Sequence, residues 1–286
     1  PMTDIEINRS VKARPIQDVA DQLGIQASEL IPYGKLKAKV SLDVLERLQA
    51  APLGKYILVT AINPTPLGEG KTTTSIGLAM GLSRLGHRTA VTLRQPSLGP
   101  VFGIKGGGTG GGRAQVLPME DINLHLTGDA HAVSASHNLL SAFVDNHLFH
   151  GNRLQVDLNR ITWPRTLGVS DRALRQISLG EGDVSRRGQF VITEASEVMA
   201  MLALASSQAD LRHRLGQILV GFTADGKPVR AEEFGCAGSM AVLLREALLP
   251  NLVQTLEGTA AFVHTGPFGN IAHGNCSILS DSVALR

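Results

Sequence analysis

Short apolar runs alternate along the chain with longer segments in which apolar residues recur at helical spacing. Residues 56–61 form an apolar run rich in β-branched side chains, which is typical of a strand buried in a parallel sheet. The apolar spacing over 71–85 predicts a helix that stops at Gly86, and residues 88–93 predict a second strand. Together these segments predict a β-loop-α-β unit with a right-handed crossover in a parallel sheet.

The same patterns extend over the rest of the chain. Further helices are predicted over residues 16–23, 41–48, 129–148, 198–205 and 240–249. Further strands are predicted over residues 190–192, 219–222 and 260–263. The combination of strands and helices predicts an α/β protein.

Composition removes several classes of protein. The 286 residues are 43% hydrophobic and 18% charged, as in globular proteins, and a net charge of +2 predicts neither nucleic-acid binding nor a membrane anchor. The longest apolar run, residues 198–205, is far shorter than the ~20 residues of a membrane span. No secretory signal pattern opens the chain, so we expect a cytoplasmic protein.

Eight consecutive residues between the first predicted strand and its helix carry the clearest chemical signal. They are Thr65, Pro66, Leu67, Gly68, Glu69, Gly70, Lys71 and Thr72. The segment resembles a P-loop, except that Thr65 stands where the first glycine belongs. Glycines let backbone N–H groups face a phosphate, Lys71 suits the β- and γ-phosphate oxygens, and Thr72 suits Mg²⁺. The sequence predicts a phosphate site here, and the alternative is a glycine-rich turn that happens to end in Lys-Thr.

This motif fixes the expected domain organisation. The sheet is expected to be a parallel, P-loop NTPase-like one flanked by helices, with an inserted α/β subdomain. We predict a nucleotide-binding domain with an N-terminal helical segment over residues 1–152, the inserted subdomain over 153–257, and a return to the first domain over 258–286. The reason is that a strand followed by a glycine-rich loop reappears only after the insert. For Glu69, two interpretations remain open: a solvent-facing carboxylate, or a group that lies near Mg²⁺.

Four blocks in order carry a family resemblance. They are residues 63–73, 93–107, 118–129 and 266–275, which include Arg94-Gln95-Pro96-Ser97-Leu98-Gly99-Pro100 and Gly266-Pro267-Phe268-Gly269-Asn270. Together they resemble the formate–tetrahydrofolate ligase family. The resemblance implies that formate attacks the γ-phosphate of MgATP, giving formyl phosphate and ADP. The N10 amine of tetrahydrofolate then takes the formyl group and releases phosphate.

The resemblance also implies roles for individual residues. Lys71 and Arg94 would be catalytic cations that offset the charge of the reacting anions, and Thr72 would hold Mg²⁺ through ATP. Asp129 matches an aspartate of a monovalent-cation site for K⁺ or NH₄⁺, with a helix N-cap as the alternative. Gln95 stands where the family usually has Glu, so we expect weaker cation dependence or lower activity. For Arg94, the alternative is a surface ion pair.

The resemblance implies small-molecule substrates (ATP, formate and tetrahydrofolate) and a homo-oligomer. Family members run to roughly twice this length, so the sequence is expected to be the N-terminal half, without the aromatic residues that bind the pterin. Two alternatives remain open: a truncated homologue that binds ATP without completing formyl transfer, and an unrelated P-loop ATPase or carboxylate-activating ligase.

Histidine and cysteine residues give weaker signals. His125, His131 and His137 are six residues apart, so one helix cannot direct all three to one metal ion. An active-site contact of His125 or His131 remains open. Cys236 and Cys276 are predicted to be buried free thiols.

Overall fold

A computed structural model describes residues 2–63, 68–102, 108–266 and 276–286. The helices in this part of the chain are α1 (Asp4–Ser10), α2 (Ile16–Leu23), α3 (Asp43–Arg47), α4 (Lys71–Arg84), α5 (Leu98–Val101), α6 (Met119–Leu124), α7 (Asp129–Phe149), α8 (Glu197–Leu204), α9 (Gln208–Gly216), α10 (Ala237–Leu243) and α11 (Ile278–Leu285). Short 3-10 turns cover residues 27–29, 172–175, 182–184, 193–195 and 231–234.

The strands are all short. They are β1 (Leu30–Pro32), β2 (Ala38–Val40), β3 (Ala90–Leu93), β4 (Gly110–Gly111), β5 (Ala114–Leu117), β6 (Val156–Ile161), β7 (Arg165–Leu167), β8 (Ile177–Leu179), β9 (Arg186–Gly188), β10 (Phe190–Ile192), β11 (Leu219–Thr223), β12 (Pro228–Arg230), β13 (Asn251–Thr255) and β14 (Ala260–Val263). The protein is therefore of mixed α/β class, as predicted.

The chain divides into two compact units. Unit 1 combines residues 1–127 with residues 249–286, and unit 2 is the continuous stretch 128–248. The domain boundaries expected from the sequence, after residues 152 and 257, stay a prediction.

Unit 1 is built on one seven-stranded sheet with the order β1-β2-β13-β14-β3, and β5 also pairs with β13 and with β4. Every residue of β13 and β14 is buried, as expected for strands covered on both faces. Leu252 and Phe262 pack with α2, α3 and α11, whereas Val253 and Ala261 pack with α4. Since successive strand side chains point to opposite faces, helices cover the sheet on both sides.

Strand direction differs from the expected parallel sheet. Within the described part of unit 1, β14 and β3 are parallel, while β13 is antiparallel to β14, β2 and β5. The connection between β13 and β14, residues 256–259, is too short for the crossover that parallel neighbours require. In unit 2, β12, β11 and β6 form an antiparallel sheet, β8 and β9 form an antiparallel pair, and β7 and β10 are parallel.

The strand predicted over residues 56–61 is wrong. These residues have no regular secondary structure, and Ile57 and Leu58 are 57% and 58% exposed. Its first residue contacts α11 instead, because the Tyr56 hydroxyl donates to Asp281 Oδ2 at 3.0 Å, and the nearby Gly54 N–H donates to the Leu285 carbonyl at 2.6 Å. The predicted β-loop-α-β unit therefore lacks its first strand, and the parallel neighbour of β3 is β14. An apolar run indicates side chains suited to a strand but does not identify a pairing partner.

Several other elements match their predictions. The helices expected over 71–85 and 129–148 are α4 and α7, and the strands expected over 88–93 and 260–263 are β3 and β14. The helix expected over 240–249 is shorter, since α10 ends at Leu243 and turns follow. Among the described residues, none of the helices has the length and apolar character needed to cross a bilayer.

Unit 2 packs around the long helix α7. Its buried residues His137, Leu140, Val144 and Leu148 recur every three or four positions and form one face. The ring of Trp163 stacks on that of His137 with centroids 4.0 Å apart. This contact joins the segment between β6 and β7 to α7 in the core of unit 2.

Candidate functional site

The start of α4 has the geometry of an anion site. Gly68 and Gly70 have φ values of +85° and +73°, in the left-handed region that favours glycine. Gly70 caps the 14-residue helix without any side-chain hydrogen bond, and the first turn carries no acidic residue. The first backbone N–H groups and the positive end of the helix dipole are thus not occupied by a capping side chain, which is the arrangement that suits an anion.

Lys71, the first residue of α4, supplies a cation at this point. Its ammonium pairs with the carboxylate of Glu69, and the Lys71 side chain is 45% exposed while that of Glu69 is 17% exposed. Glu69 is therefore a largely covered partner of Lys71 rather than a solvent-facing carboxylate. Thr72 is half-buried in the first turn. Thr65, Pro66 and Leu67 lie outside the described residues.

Arg94 lies at the same end of the sheet as the start of α4. Residues 85–89 reverse the chain between α4 and β3, and Ile76 and Met80 pack with Val91 and Leu93. The amino end of α4 and the carboxyl end of β3 therefore face the same edge. Arg94 and Gln95 follow β3 directly, at the edge where ligands gather in α/β sheets.

The parallel strand β14 contributes a second set of residues at this edge. The His264 N–H donates to the Leu93 carbonyl at 3.0 Å, and the Gln95 N–H donates to the Thr265 carbonyl. Thr265 is buried and has a φ of +57°, a conformation that is unusual for a β-branched residue. Such backbone strain is concentrated at functional sites.

A cluster of polar groups surrounds Arg94. Burial lowers the pKa of its guanidinium, and Cys276, Asp281 and Tyr56 act in the opposite direction. Burial, together with Asp281, raises the pKa of the Tyr56 phenol, whose hydroxyl donates to Asp281 Oδ2 at 3.0 Å. Cys276 Sγ donates to the Leu93 carbonyl at 2.9 Å, and burial raises the pKa of its thiol to about 12. Arg94 is thus half-buried in the fold.

Two oxygens next to Arg94 have no hydrogen-bond partner among the described residues. They are Gln95 Oε1 and Ser97 Oγ, and both residues are at most 4% exposed. A buried polar atom without a partner costs about 1–3 kcal/mol, and a ligand bound here would offset that cost. Amide and hydroxyl oxygens are ligands for hard cations. The Gln95 oxygen therefore fits a cation ligand even though it carries no charge.

Asp129 is the first residue of α7 and belongs to unit 2. The cap itself is Gly128, with a φ of +88°, so Asp129 does not occupy the N-cap position that was the alternative for it. Its side chain is 3% exposed. A carboxylate this deeply buried is stable only where other groups compensate its charge.

Sequence reasoning missed Tyr56, His264, Thr265 and Asp281, which line the region around Arg94. His264 and Thr265 could have been identified from their position directly after the apolar strand over residues 260–263, because residues that follow an apolar strand mark the carboxyl edge of a sheet. Tyr56 was assigned to a strand, and Asp281 gave no motif. Cys236 and Cys276 are free and buried, as predicted.

The histidines do not form a metal site in the described part of the chain, where no group of three or more His, Cys, Asp or Glu residues could hold an ion. His137 lies in the core of unit 2. Its Nδ1 is 2.7 Å from Ser196 Oγ, and its Nε2 is 2.8 Å from the Pro164 carbonyl.

These features define a mixed α/β protein in which a glycine-rich loop opens a helix beside the carboxyl ends of two parallel strands. A family model for formate–tetrahydrofolate ligase matches residues 2–286. The chain therefore belongs to the formate–tetrahydrofolate ligase family.

Individual relatives agree with this assignment. Formate–tetrahydrofolate ligase from Saccharopolyspora erythraea is 57% identical over 288 residues, covering 99% of this chain and 51% of the relative. The ligase of a Roseiflexus species is 57% identical over 100% of this chain and 51% of its own length. That of Pseudothermotoga lettingae is 55% identical over 99% of this chain and 52% of its own length. The chain thus spans about half the length of these relatives.

Proposed function

We propose that this chain takes part in ATP-dependent ligation of formate to tetrahydrofolate, with 10-formyltetrahydrofolate, ADP and phosphate as products. The observation that carries the proposal is the start of α4, where the N-cap is Gly70 with no side-chain cap hydrogen bond and Lys71 is the first helical residue, in a chain of this family. We place phosphate binding at Thr65, Pro66, Leu67, Gly68, Glu69, Gly70, Lys71 and Thr72. Thr72 would hold Mg²⁺ through the bound ATP.

The first step brings two anions together. A formate oxygen attacks the γ-phosphorus, the bond from that phosphorus to the bridging oxygen breaks, and ADP leaves. Lys71 neutralises the phosphate oxygens, and its release from Glu69 accompanies nucleotide binding. Arg94, at the carboxyl edge of β3, offsets the repulsion between formate and the γ-phosphate and stabilises the charge that spreads in the transition state.

The second step transfers the formyl group. The N10 amine of tetrahydrofolate attacks the formyl carbon, the carbon–oxygen bond to phosphate breaks, and the amine loses a proton. Arg94 stabilises the departing phosphate in the same position.

For a monovalent cation, K⁺ or NH₄⁺, we propose Gln95 as a ligand, and the role that the family resemblance implies for Asp129, in the second unit, stays a prediction. The buried Gln95 Oε1, which has no hydrogen-bond partner among the described residues, supports this assignment. The cation would add positive charge beside the reacting anions. Since Gln95 lacks the charge of the usual Glu, Gln95→Glu is expected to strengthen the dependence of activity on K⁺, and an unchanged dependence at every K⁺ concentration would refute this role.

We also propose the properties that follow from the family. The nucleotide-binding region is a P-loop NTPase-like one, the protein is a homo-oligomer, and it works in the cytoplasm on small-molecule substrates. Size-exclusion chromatography with light scattering tests the oligomer directly. A single species with the mass of one chain at every concentration would refute it.

The function is tested on the 286-residue protein with MgATP, formate and tetrahydrofolate, by following 10-formyltetrahydrofolate and measuring ATP binding by calorimetry. We expect both signals, and Lys71→Ala is expected to weaken ATP binding by about tenfold or more, since a hydrogen bond to a charged group contributes about 1.5–3 kcal/mol. The matched control is Lys12→Ala, at an exposed lysine two residues after α1.

Each outcome is distinct. ATP binding without product would identify a nucleotide-binding half that does not complete formyl transfer. Absence of ATP binding, or equal binding by the wild type and Lys71→Ala, would refute the phosphate site at α4.

A further inference from the structure

Burial alternates along β3 and continues past its carboxyl end. The odd-numbered residues from Val91 to Ser97 are buried, and the even-numbered residues between them are only partly buried. The chain stays extended there, because the Gln95 N–H donates to the Thr265 carbonyl and a residue that precedes proline, as Gln95 does, disfavours helical backbone. Successive side chains of an extended chain point to opposite sides, so Ser97 continues the face of β3 that carries Val91 and Leu93.

That face of β3 is covered by α4, since its apolar residues form one cluster with Ile76 and Met80. The two elements run in opposite directions, so Ile76 lies nearer the carboxyl edge of the strand than Met80 does. Thr72 precedes Ile76 by four positions and therefore lies on the same helix face, one turn closer to that edge. Ser97 and the start of α4 thus lie on the same side of the sheet.

The lengths of the two elements bring Ser97 close to an anion bound in front of α4. Within the shared cluster, the antiparallel order places Ile76 nearest to Leu93. An extended chain advances about 3.3 Å per residue, so Ser97 lies about 13 Å beyond Leu93. A helix advances about 1.5 Å per residue, so Lys71 lies about 7.5 Å beyond Ile76. Ser97 is therefore level with a phosphate that stands just outside the first turn of α4.

The hydroxyl of Ser97 is not used by the described part of the fold. Ser97 is 2% exposed, and its Oγ has no hydrogen-bond partner among the described residues. Ser97 directly precedes α5, but a capping side chain accepts from the N–H of the second or third helical residue, and the third is Pro100, which has none. A buried hydroxyl without a partner destabilises the fold, and a ligand that accepts its hydrogen bond reverses that effect.

The ligand that suits this position is an anion. The first turn of α4 contains Lys71 and no acidic residue, and its N-cap, Gly70, has no side chain to occupy the positive end of the helix dipole. The nearby carboxylate of Glu69 is already paired with Lys71. A hydroxyl donates well to a phosphate oxygen, because a hydrogen bond to a charged acceptor is about twice as strong as one between neutral groups.

We propose that Ser97 is a further binding residue of this site: its hydroxyl donates to an oxygen of the transferred phosphoryl group, from the sheet side of the start of α4. The inference rests on the proposed function, because it takes the γ-phosphate to be bound at α4. Lys71 and the amino end of the helix hold the group from one side, and Ser97 holds it from the other. A donor beyond the first turn contacts the outermost phosphate, so Ser97 distinguishes a triphosphate from a diphosphate.

The first test is the stability of the protein without nucleotide. Ser97→Ala removes a buried hydroxyl that has no partner in the described structure, so it should raise the midpoint of thermal unfolding by about 2 °C. Removal of a hydroxyl that stabilised the fold, for example as a helix cap, would lower the midpoint instead. The control is Ser10→Ala, since Ser10 is an exposed residue at the end of α1 whose hydroxyl donates to the Ile7 carbonyl at 2.7 Å. This control should not raise the midpoint.

The second test compares the affinities for ADP and for an ATP analogue with an imido bridge between the β- and γ-phosphates, by calorimetry with Mg²⁺ present. Ser97→Ala should weaken binding of the analogue about tenfold, as expected for the loss of a hydrogen bond to a charged group, and leave that of ADP within about twofold. Ser97→Cys has a side chain of similar size with a weaker donor and should fall between the wild type and Ser97→Ala. Ser10→Ala should change neither affinity.

The outcomes separate the two proposals. A lower thermal midpoint for Ser97→Ala, failure of this variant to fold, or an equal effect on both ligands overturns the role of Ser97 and leaves the phosphate site at α4 intact. A changed response to K⁺ with an unchanged affinity for the analogue also overturns it, because the hydroxyl would then serve a cation. If the wild type binds neither ligand, the proposed function fails at α4, and the role of Ser97 fails with it.

Discussion

The buried histidine of unit 2 makes a specific prediction about stability in acid. Burial lowers the pKa of His137 to about 4, because its ring lies in the core between Trp163, Ser196 and the Pro164 carbonyl. A carbonyl only accepts, so Nε2 carries the proton and Nδ1 accepts from Ser196 Oγ. Ser196 Oγ also accepts from the Val198 N–H at 3.1 Å. Protonation of Nδ1 would remove the acceptor for the serine hydroxyl.

The size of the effect follows from linkage. The unfolded chain takes up the proton near pH 6.5 and the folded chain only near pH 4. The contribution of neutral His137 to stability is therefore fully present above pH 6.5 and is lost as the pH falls towards 4. The free energy of unfolding should drop by about 2 kcal/mol between pH 8 and pH 5, and by about 3 kcal/mol at pH 4. With the usual dependence of stability on urea, the midpoint should fall by about 1 M at pH 5.

Trp163 is the single tryptophan of the chain and contacts His137, so its fluorescence reports on this part of unit 2 during urea titration. His137→Gln should be less stable than the wild type at pH 8 but should lose about 2 kcal/mol less on going to pH 5. The control is His150→Gln, an exposed histidine that follows α7, which should retain the full acid loss. An equal acid loss in the wild type and His137→Gln would refute the reasoning.

Two further predictions concern backbone space and thiol access. Gly110→Ala should lower the free energy of unfolding by about 3 kcal/mol or more, because its φ is +85° and a Cβ would lie 2.1 Å from the Ala114 carbonyl oxygen. Gly112→Ala, with a φ of +55° and open space, should cost only about 1 kcal/mol, and equal thermal midpoints of the two variants would contradict this account. Burial raises the pKa of Cys236 to about 11 and that of Cys276 to about 12. Both thiols should therefore react with Ellman's reagent at pH 8 about a hundredfold more slowly in the folded protein than in urea, and rapid labelling of the folded protein would argue against their burial.

The elements that could be predicted from sequence are those whose signal is local. Helix α4 is bounded by Gly70 and Gly86, and β14 is a short run of apolar residues, so both were found. The parallel sheet was inferred from the order of strands and helices along the chain, and that order does not specify which strands pair with each other. Antiparallel pairing of β13 with three strands depends on contacts between distant segments, and residues 56–61 show that a strand-like composition is not sufficient.

The same distinction holds at the candidate site. Lys71 and Thr72 were identified from a contiguous motif, and the structure describes them at the start of α4. Arg94 was selected from its position after a strand. The residues around it, Tyr56 and Asp281, are separated from it by 38 and 187 positions, so only folding shows that they belong together. A single sequence contains no signal for such a pair.

The division of unit 1 into two segments has a consequence for how the protein is made. The central strands β13 and β14 are synthesised only after all of unit 2, although they complete a sheet begun by β2 and β3. On the ribosome, the earlier strands must wait with unpaired backbone edges while unit 2, which is continuous, is free to fold first. Chaperone dependence during synthesis should therefore be concentrated in the interval between the emergence of β3 and that of β14.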